Sequence, residues 1–133
     1  MNRQLLFLGT FLGAFAVLVC IAATFLTEKL YTENTEKFIY FVGLQLNVFH
    51  ALLLLILAWI KRKYTDQNLI TVGWIFTGST LIFSGTAYLS MFTEFGVLLF
   101  NTIGVIGGIG LIIGWMFLFR EFYSNFIISR KNA

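Results

Sequence analysis

The chain is poor in charge, proline, cysteine and histidine, and each shortage excludes a class of structure or site. Only 11% of its 133 residues are charged, less than half the share in an ordinary soluble domain, so it has too little polar surface to cover a water-soluble fold. It has no proline, which removes the commonest cause of a helix kink. Its one cysteine, Cys20, precludes an intrachain disulfide and lies in an apolar run, where a thiol is expected to be inert packing.

Sites for metals, cofactors and nucleic acids find no support in the sequence. The single histidine, His50, has no cysteine or carboxylate nearby in its apolar run to complete a coordination shell. No basic patch lies apart from the apolar stretches, so nucleic-acid binding is not expected. Serine and histidine occur without a third orienting group, so we assign no catalytic residues and expect no cofactor.

What is abundant is long apolar sequence: 59% of the residues are hydrophobic. Each of four uncharged stretches is long enough to cross a bilayer as a helix, the state that satisfies backbone polar groups in lipid. We therefore predict an all-α membrane protein, a four-transmembrane-helix antiparallel bundle forming one domain over residues 1–133. Helices are expected at about 4–26, 38–61, 68–93 and 96–123, followed by a short cytoplasmic interfacial tail at 124–133.

The distribution of lysine and arginine predicts the orientation. The first and third loops carry only Lys29 and Lys37. The two termini and the second loop carry the other seven of the nine basic residues: Arg3, Lys61, Arg62, Lys63, Arg120, Arg130 and Lys131. We therefore expect both termini in the cytoplasm, or in the equivalent matrix, with the protein in a bacterial cytoplasmic (inner) membrane or a mitochondrial inner membrane.

A cleaved signal peptide is the alternative interpretation of the first apolar stretch. Arg3 precedes an apolar run, and the sequence Ala14-Phe15-Ala16 resembles a cleavage site. The run continues to Leu26, however, beyond the usual length of a signal-peptide core. We therefore expect the first stretch to be a transmembrane helix.

One polar cluster is predicted between the second and third helices. His50 is the one ionisable residue near the middle of an apolar stretch, and such a residue is a functional candidate in a membrane protein. Asn47 lies on its face of the second helix, and a polar stripe on the third helix contains Thr77, Thr80 and Ser84. Two interpretations stay open: hydrogen bonds that hold the helices together, or a binding site for a small molecule or lipid headgroup.

Small residues form the second pattern, because they let transmembrane helices approach closely. The first helix has one small-xxx-small pair, and the glycines of the fourth helix lie within about half of its circumference. These packing or interface candidates are Gly9, Gly13, Gly104, Gly107, Gly108, Gly110 and Gly114. They predict either packing inside the monomer or an interface with a partner or a second copy.

Several short motifs resemble domain-of-unknown-function family 423, which includes the animal transmembrane protein 256. The matching motifs are Gly73-Trp74, Phe83-Ser84-Gly85, Tyr88-Leu89, Ile106-Gly107-Gly108, Gly114-Trp115 and the VFHALLLLIL run that contains His50. The sequence departs from the family pattern at Phe25, where the family has another histidine, and at Val105, where it has proline. The resemblance implies a four-helix membrane fold, and it implies no particular activity.

The function expected from the sequence is non-enzymatic. The chain has no catalytic set, has long glycine faces and leaves little sequence in loops. We therefore expect an accessory or partner-binding subunit of a membrane complex that contacts the lipid bilayer and a membrane-protein partner or its own copies. The alternative is a carrier or binding protein for a small or lipidic ligand, held between the second and third helices.

Overall fold

The computed structural model describes residues 2–30, 34–60, 68–93 and 95–131, and at 26–30, 34 and 125–131 it describes the backbone only. Helix α1 spans Arg3–Leu30, α2 spans Asn34–Ile60 and α3 spans Asn68–Leu89. Helix α4 is built of an α-helical turn at Gly96–Leu99, a π-helical turn at Phe100–Gly104 and a long α-helical segment at Val105–Lys131. All four helices are long and apolar enough to cross a membrane, which confirms the predicted fold class.

The helix ends differ from the predicted boundaries in three places, and one of them is the end of α3, which lies at Leu89 instead of residue 93. Helices α1 and α2 extend into the charged first loop, ending at Leu30 and beginning at Asn34. Helix α4 continues to Lys131, so the described part of the predicted tail is helical. No glycine or proline follows Phe119 to stop the helix, which accounts for its length. Lys61, Arg62 and Lys63, on which much of the predicted orientation depends, lie outside the described residues.

Helix α3 is the centre of the bundle. It packs against α2 and α4 over long stretches and contacts α1 near Gly73 and Tyr88. Helix α1 packs mainly on α2, and among the described residues α4 packs extensively only on α3. The main core is a layer of leucines around Phe76, which is fully buried. In its most apolar stretch, α3 has 44% of its residues buried inside the bundle, whereas α4 has only 22%.

The connection between α3 and α4 is tight enough to require glycine. The backbone N–H of Gly96 donates to the carbonyl of Thr93 at 2.9 Å, and its Cα lies against the end of α3. A Cβ at this position would overlap the backbone atoms of Leu89 and Ser90. The turn thereby returns the chain directly onto α3, as the short third loop predicts.

Candidate functional site

The imidazole of His50 is buried in an aromatic cage, with 2% of its surface exposed. Its Nδ1 lies 2.8 Å from the carbonyl oxygen of Leu46, one turn earlier in α2. A carbonyl can only accept, so Nδ1 donates, and a neutral ring then keeps Nε2 as an acceptor. The ring centroids of Phe49, Phe76 and Trp115 lie 5.4, 5.3 and 6.4 Å away. His50 therefore bonds within its own helix and packs against rings from α3 and α4.

Two hydrogen bonds join α2 to α3 next to His50. The Nδ2 of Asn47 donates to the hydroxyl of Tyr88 at 3.0 Å. The Oγ of Ser84 donates to the carbonyl of Gly43 at 2.8 Å. The backbones approach closely at Gly43, where an added Cβ would lie 2.5 Å from the Cβ of Ala87. The two polar stripes predicted from the sequence thus face each other in the structure.

The two threonines of the predicted site differ in their bonding. Thr77 Oγ1 donates to the carbonyl of Gly73 in its own helix at 2.8 Å, so it adds no bond between helices. Thr80 is fully buried, and its Oγ1 has no hydrogen-bond partner. The antiparallel register that puts Gly43 beside Ser84 and His50 beside Phe76 places Thr80 at the depth of Asn47.

Three polar atoms at this interface are enclosed without hydrogen-bond partners: Asn47 Oδ1, His50 Nε2 and Thr80 Oγ1. Each exposes less than 1 Å² of surface, so no water-sized space adjoins it. Two are acceptors, and the third is a hydroxyl that can donate or accept. The arrangement is a closed polar contact between helices that would have to open before a ligand could reach it.

Most of the predicted glycine faces lie against neighbouring helices of the same chain. In α1, Gly9 lies against Ala51 and Leu55 of α2, and Gly13 lies more loosely against Ala51. The glycines of α4 lie against α3 instead, with these contacts: Gly104 with Thr86, Gly107 with Phe83 and Ser79, Gly110 with Ser79, and Gly114 with Phe76. Gly108 is only half-buried, and an added Cβ would stand 3.7 Å from the ring of Phe83.

Phe76 and Trp115 are the neighbours of His50 that sequence reasoning missed. Phe76 is fully buried between His50 and Trp115, and the ring centroids of Phe76 and Trp115 lie 5.5 Å apart. Phe76 precedes the polar residue Thr77, and Trp115 follows Gly114 in a motif of the resembling family. A search for aromatic residues at the depth of His50 would have found both.

Two grooves lie outside this polar contact, at the end of the bundle where α2 ends and α3 begins. The first is apolar, has a volume of about 300 Å³, and lies between α2 and α4. It is lined by Leu53, Ile56, Leu57, Ile60, Trp115, Leu118, Phe119 and Phe122. The second has a volume of about 160 Å³ and both polar and apolar walls. It lies between the start of α3 and the part of α4 around Arg120.

Comparison with known proteins finds relatives whose names describe membrane proteins. A family described as "Protein of unknown function (DUF423)" matches residues 12–110, which confirms the resemblance found in the sequence. The chain is 27% identical to UPF0382 membrane protein YwdK of Bacillus subtilis (strain 168) over 111 residues, covering 80% of this chain and 89% of that protein. It is 38% identical over 71 residues to UPF0382 membrane protein SAB0533 of Staphylococcus aureus (strain bovine RF122 / ET3-1), covering 53% and 56%. No solved structure gives a significant match.

Proposed function

We propose that this chain, which belongs to the DUF423 family, is a non-enzymatic accessory subunit of a membrane complex. Its fourth helix binds a transmembrane helix of a partner protein. The observation that carries the proposal is the position of α4, which packs extensively on α3 alone among the described residues. Transmembrane helices associate by close packing of their side chains, so a helix packed on one side offers its other side to a partner.

Between Ile106 and Phe119, the exposed face of α4 is entirely apolar. Its residues repeat at helical spacing and point away from α3: Ile106, Ile109, Ile112, Met116 and Phe119. Met116 and Phe119 are 68% and 71% exposed. Phe119 also lines the apolar groove between α2 and α4, so the face continues into a concave surface. A partner helix on this face would pack against two helices of the chain.

Ligand binding between α2 and α3 is the second candidate function. It is favoured by the unpartnered atoms Asn47 Oδ1, His50 Nε2 and Thr80 Oγ1, because buried polar atoms normally have partners. A ligand would need α2 and α3 to separate, since the site is closed and Trp115 packs over His50. Partner binding on α4 needs no such rearrangement, so it is the preferred function.

The proposed orientation puts both termini and the second loop in the cytoplasm. Arg3 near the start of α1 and Arg120 near the end of the α4 span lie at the same end of the bundle, where α2 ends and α3 begins. The backbone N–H of Asn2 donates to the carbonyl of Ala58 near the end of α2. Asn68 at the start of α3 donates to Glu121 of α4. Cysteine labelling of Lys63→Cys in a Cys20→Ser background tests this orientation. We expect labelling from the cytoplasmic side only, and labelling from outside alone would reverse the orientation.

Site-specific photo-crosslinking in the native membrane tests partner binding. A photoreactive residue at Met116 is compared with one at Leu18, an equally exposed position (65%) on α1. We expect Met116 to crosslink to one discrete membrane protein and Leu18 to give no such product. Met116→Trp, which enlarges the side chain, should then reduce co-purification of that protein, whereas Leu18→Trp should not.

Two results of this experiment would contradict the accessory role. The first is a crosslink from Met116 to a second copy of this chain, which would make α4 a homo-oligomer interface. The second is the same diffuse pattern of products from Met116 and Leu18, which would mean that lipid covers both faces.

A further inference from the structure

The second groove combines charge with apolar surface at one end of the membrane span. It is lined by Asn68, Thr71, Val72 and Ile75 of α3 and by Phe117, Arg120 and Glu121 of α4. The uncharged stretch of α4 ends at Phe119, so the two charged residues stand where hydrocarbon gives way to headgroups. The groove therefore has its polar rim at the membrane surface and its apolar floor on the hydrocarbon side.

Opposite charges stand side by side on the rim. Arg120 is exposed and supplies a guanidinium, which binds phosphate oxygens through paired N–H donors. Glu121 is half-buried, and its Oε2 accepts a hydrogen bond from Asn68 Nδ2 at 3.2 Å. This bond helps to fix the carboxylate at the start of α3, and a carboxylate has several further lone pairs for a ligand that donates. The rim thus matches a group that carries both a phosphate and an N–H cation.

The floor provides an apolar path towards the membrane centre. Val72 is buried, Ile75 is half-buried and Phe117 is 42% exposed. Gly78 follows Ile75 by one turn of α3 on the same face, and an added Cβ there would meet no atom within 4 Å. Gly78 therefore presents no side chain that would obstruct an acyl chain descending from the rim along this face of α3.

We propose that this groove is a binding site for a phospholipid whose headgroup carries a primary ammonium, of the phosphatidylethanolamine type. Arg120 binds the phosphate, Glu121 accepts from the ammonium, and one acyl chain follows Ile75 towards Gly78. The carboxylate repels a headgroup with net negative charge such as phosphatidylglycerol. Phosphatidylcholine has a cation without N–H donors, so it cannot bond to Glu121. The site shares no lining residue with the α2–α4 groove, and it is independent of partner binding.

Native mass spectrometry of the detergent-purified protein tests the proposal. The protein is mixed with equal amounts of phosphatidylethanolamine, phosphatidylglycerol and phosphatidylcholine that have identical acyl chains, and the lipid-bound fractions are compared. We expect the ethanolamine lipid to exceed each of the others by about threefold, the effect of one solvent-screened ionic contact. Glu121→Gln should abolish this preference, and Arg120→Gln should lower binding of all three lipids.

Matched controls separate the site from general charge effects. Glu36→Gln removes a carboxylate at the opposite end of the bundle, and Arg3→Gln removes an exposed arginine at the same end; both should keep the preference. Arg120→Lys retains the charge and should keep phosphate binding if Arg120→Gln fails to fold. Equal binding of the three lipids by the unaltered protein would overturn the proposal. So would a preference for phosphatidylglycerol, or an ethanolamine preference that survives Glu121→Gln.

Discussion

The two faces of α3 hold their neighbours by different means. Towards α2, two hydrogen bonds accompany a close approach at Gly43: Asn47 bonds Tyr88, and Ser84 bonds the backbone of Gly43. Towards α4, the described hydrogen bond lies at the end of the span, between Asn68 and Glu121. Within the span the contact depends on shape, because Gly107 lets the two backbones approach. Lipid tails are as apolar as the helices, so burial of apolar surface does little to drive association, and these are the two main means left.

The difference teaches where each contact is vulnerable. A hydrogen bond between membrane helices contributes only about 0.6 kcal/mol on average, so the α2–α3 contact should survive the loss of any one bond. A close contact between two backbones cannot adjust by rotating a side chain. One added methyl group at Gly107 would lie 2.6 Å from the backbone nitrogen of Phe83, which has no freedom to rotate away. We therefore expect the α3–α4 contact at Gly107 to tolerate substitution less well than the hydrogen bonds between α2 and α3.

The largest effect is expected from Gly107→Ala. The added methyl group would force α4 away from α3, at a cost of about 1–3 kcal/mol in the free energy of unfolding. Gly108→Ala is the matched control, because its methyl group would stand in ordinary contact with the ring of Phe83. That change should stay within about 0.5 kcal/mol. Folded yield and unfolding in mild detergent measure both, and equal tolerance would remove the distinction between the two glycines.

A smaller effect is expected at the Asn47–Tyr88 bond. A double-mutant cycle with Asn47→Leu and Tyr88→Phe isolates the interaction between the two side chains. The coupling energy should be about 0.6 kcal/mol, the average for membrane helices. A coupling comparable to the cost of Gly107→Ala would show that the polar contact also holds the bundle together, and the contrast between the two faces would be lost.

The smallest effect is expected from His50→Leu. The sequence alone suggests that leucine costs more than glutamine, because a polar partner across the interface would be lost. The structure reverses this order: Nε2 has no partner, and the ring lies among Phe49, Phe76 and Trp115. Leucine removes an unpartnered acceptor, so its cost should stay below about 0.5 kcal/mol, whereas glutamine keeps a polar amide in an apolar cage. Thermal unfolding ranks the two variants. A larger cost for leucine would indicate that Nε2 binds something in the membrane, as the ligand-binding function requires.

The sequence predicts the four helices because hydrocarbon thickness and backbone hydrogen bonding leave few alternatives for such apolar stretches. It also predicts that the stripes containing Asn47 and Ser84 face each other, since helical spacing and a short loop determine that pairing. The closer contact at Gly107 than at Gly108 depends on the exact register of α4 against α3, so it could not be predicted from the sequence. The same register decides that Trp115 of α4 reaches the ring of His50. The π-helical turn at Phe100–Gly104 has no signal that we recognise in the sequence.

Disulfide crosslinking most directly tests the central claim that the glycine face of α4 packs on α3 of the same chain. An added Cβ at Gly110 would lie 3.0 Å from the Cβ of Ser79, slightly less than the separation of about 3.8 Å in a disulfide, so a small shift of α4 away from α3 allows the bond. Ser79→Cys with Gly110→Cys, in a Cys20→Ser background, should form a disulfide within the monomer under mild oxidation. Ser79→Cys with Ile109→Cys, whose side chain is 53% exposed, should not. A Ser79–Gly110 pair that crosslinks only between two chains, or not at all, would contradict the account.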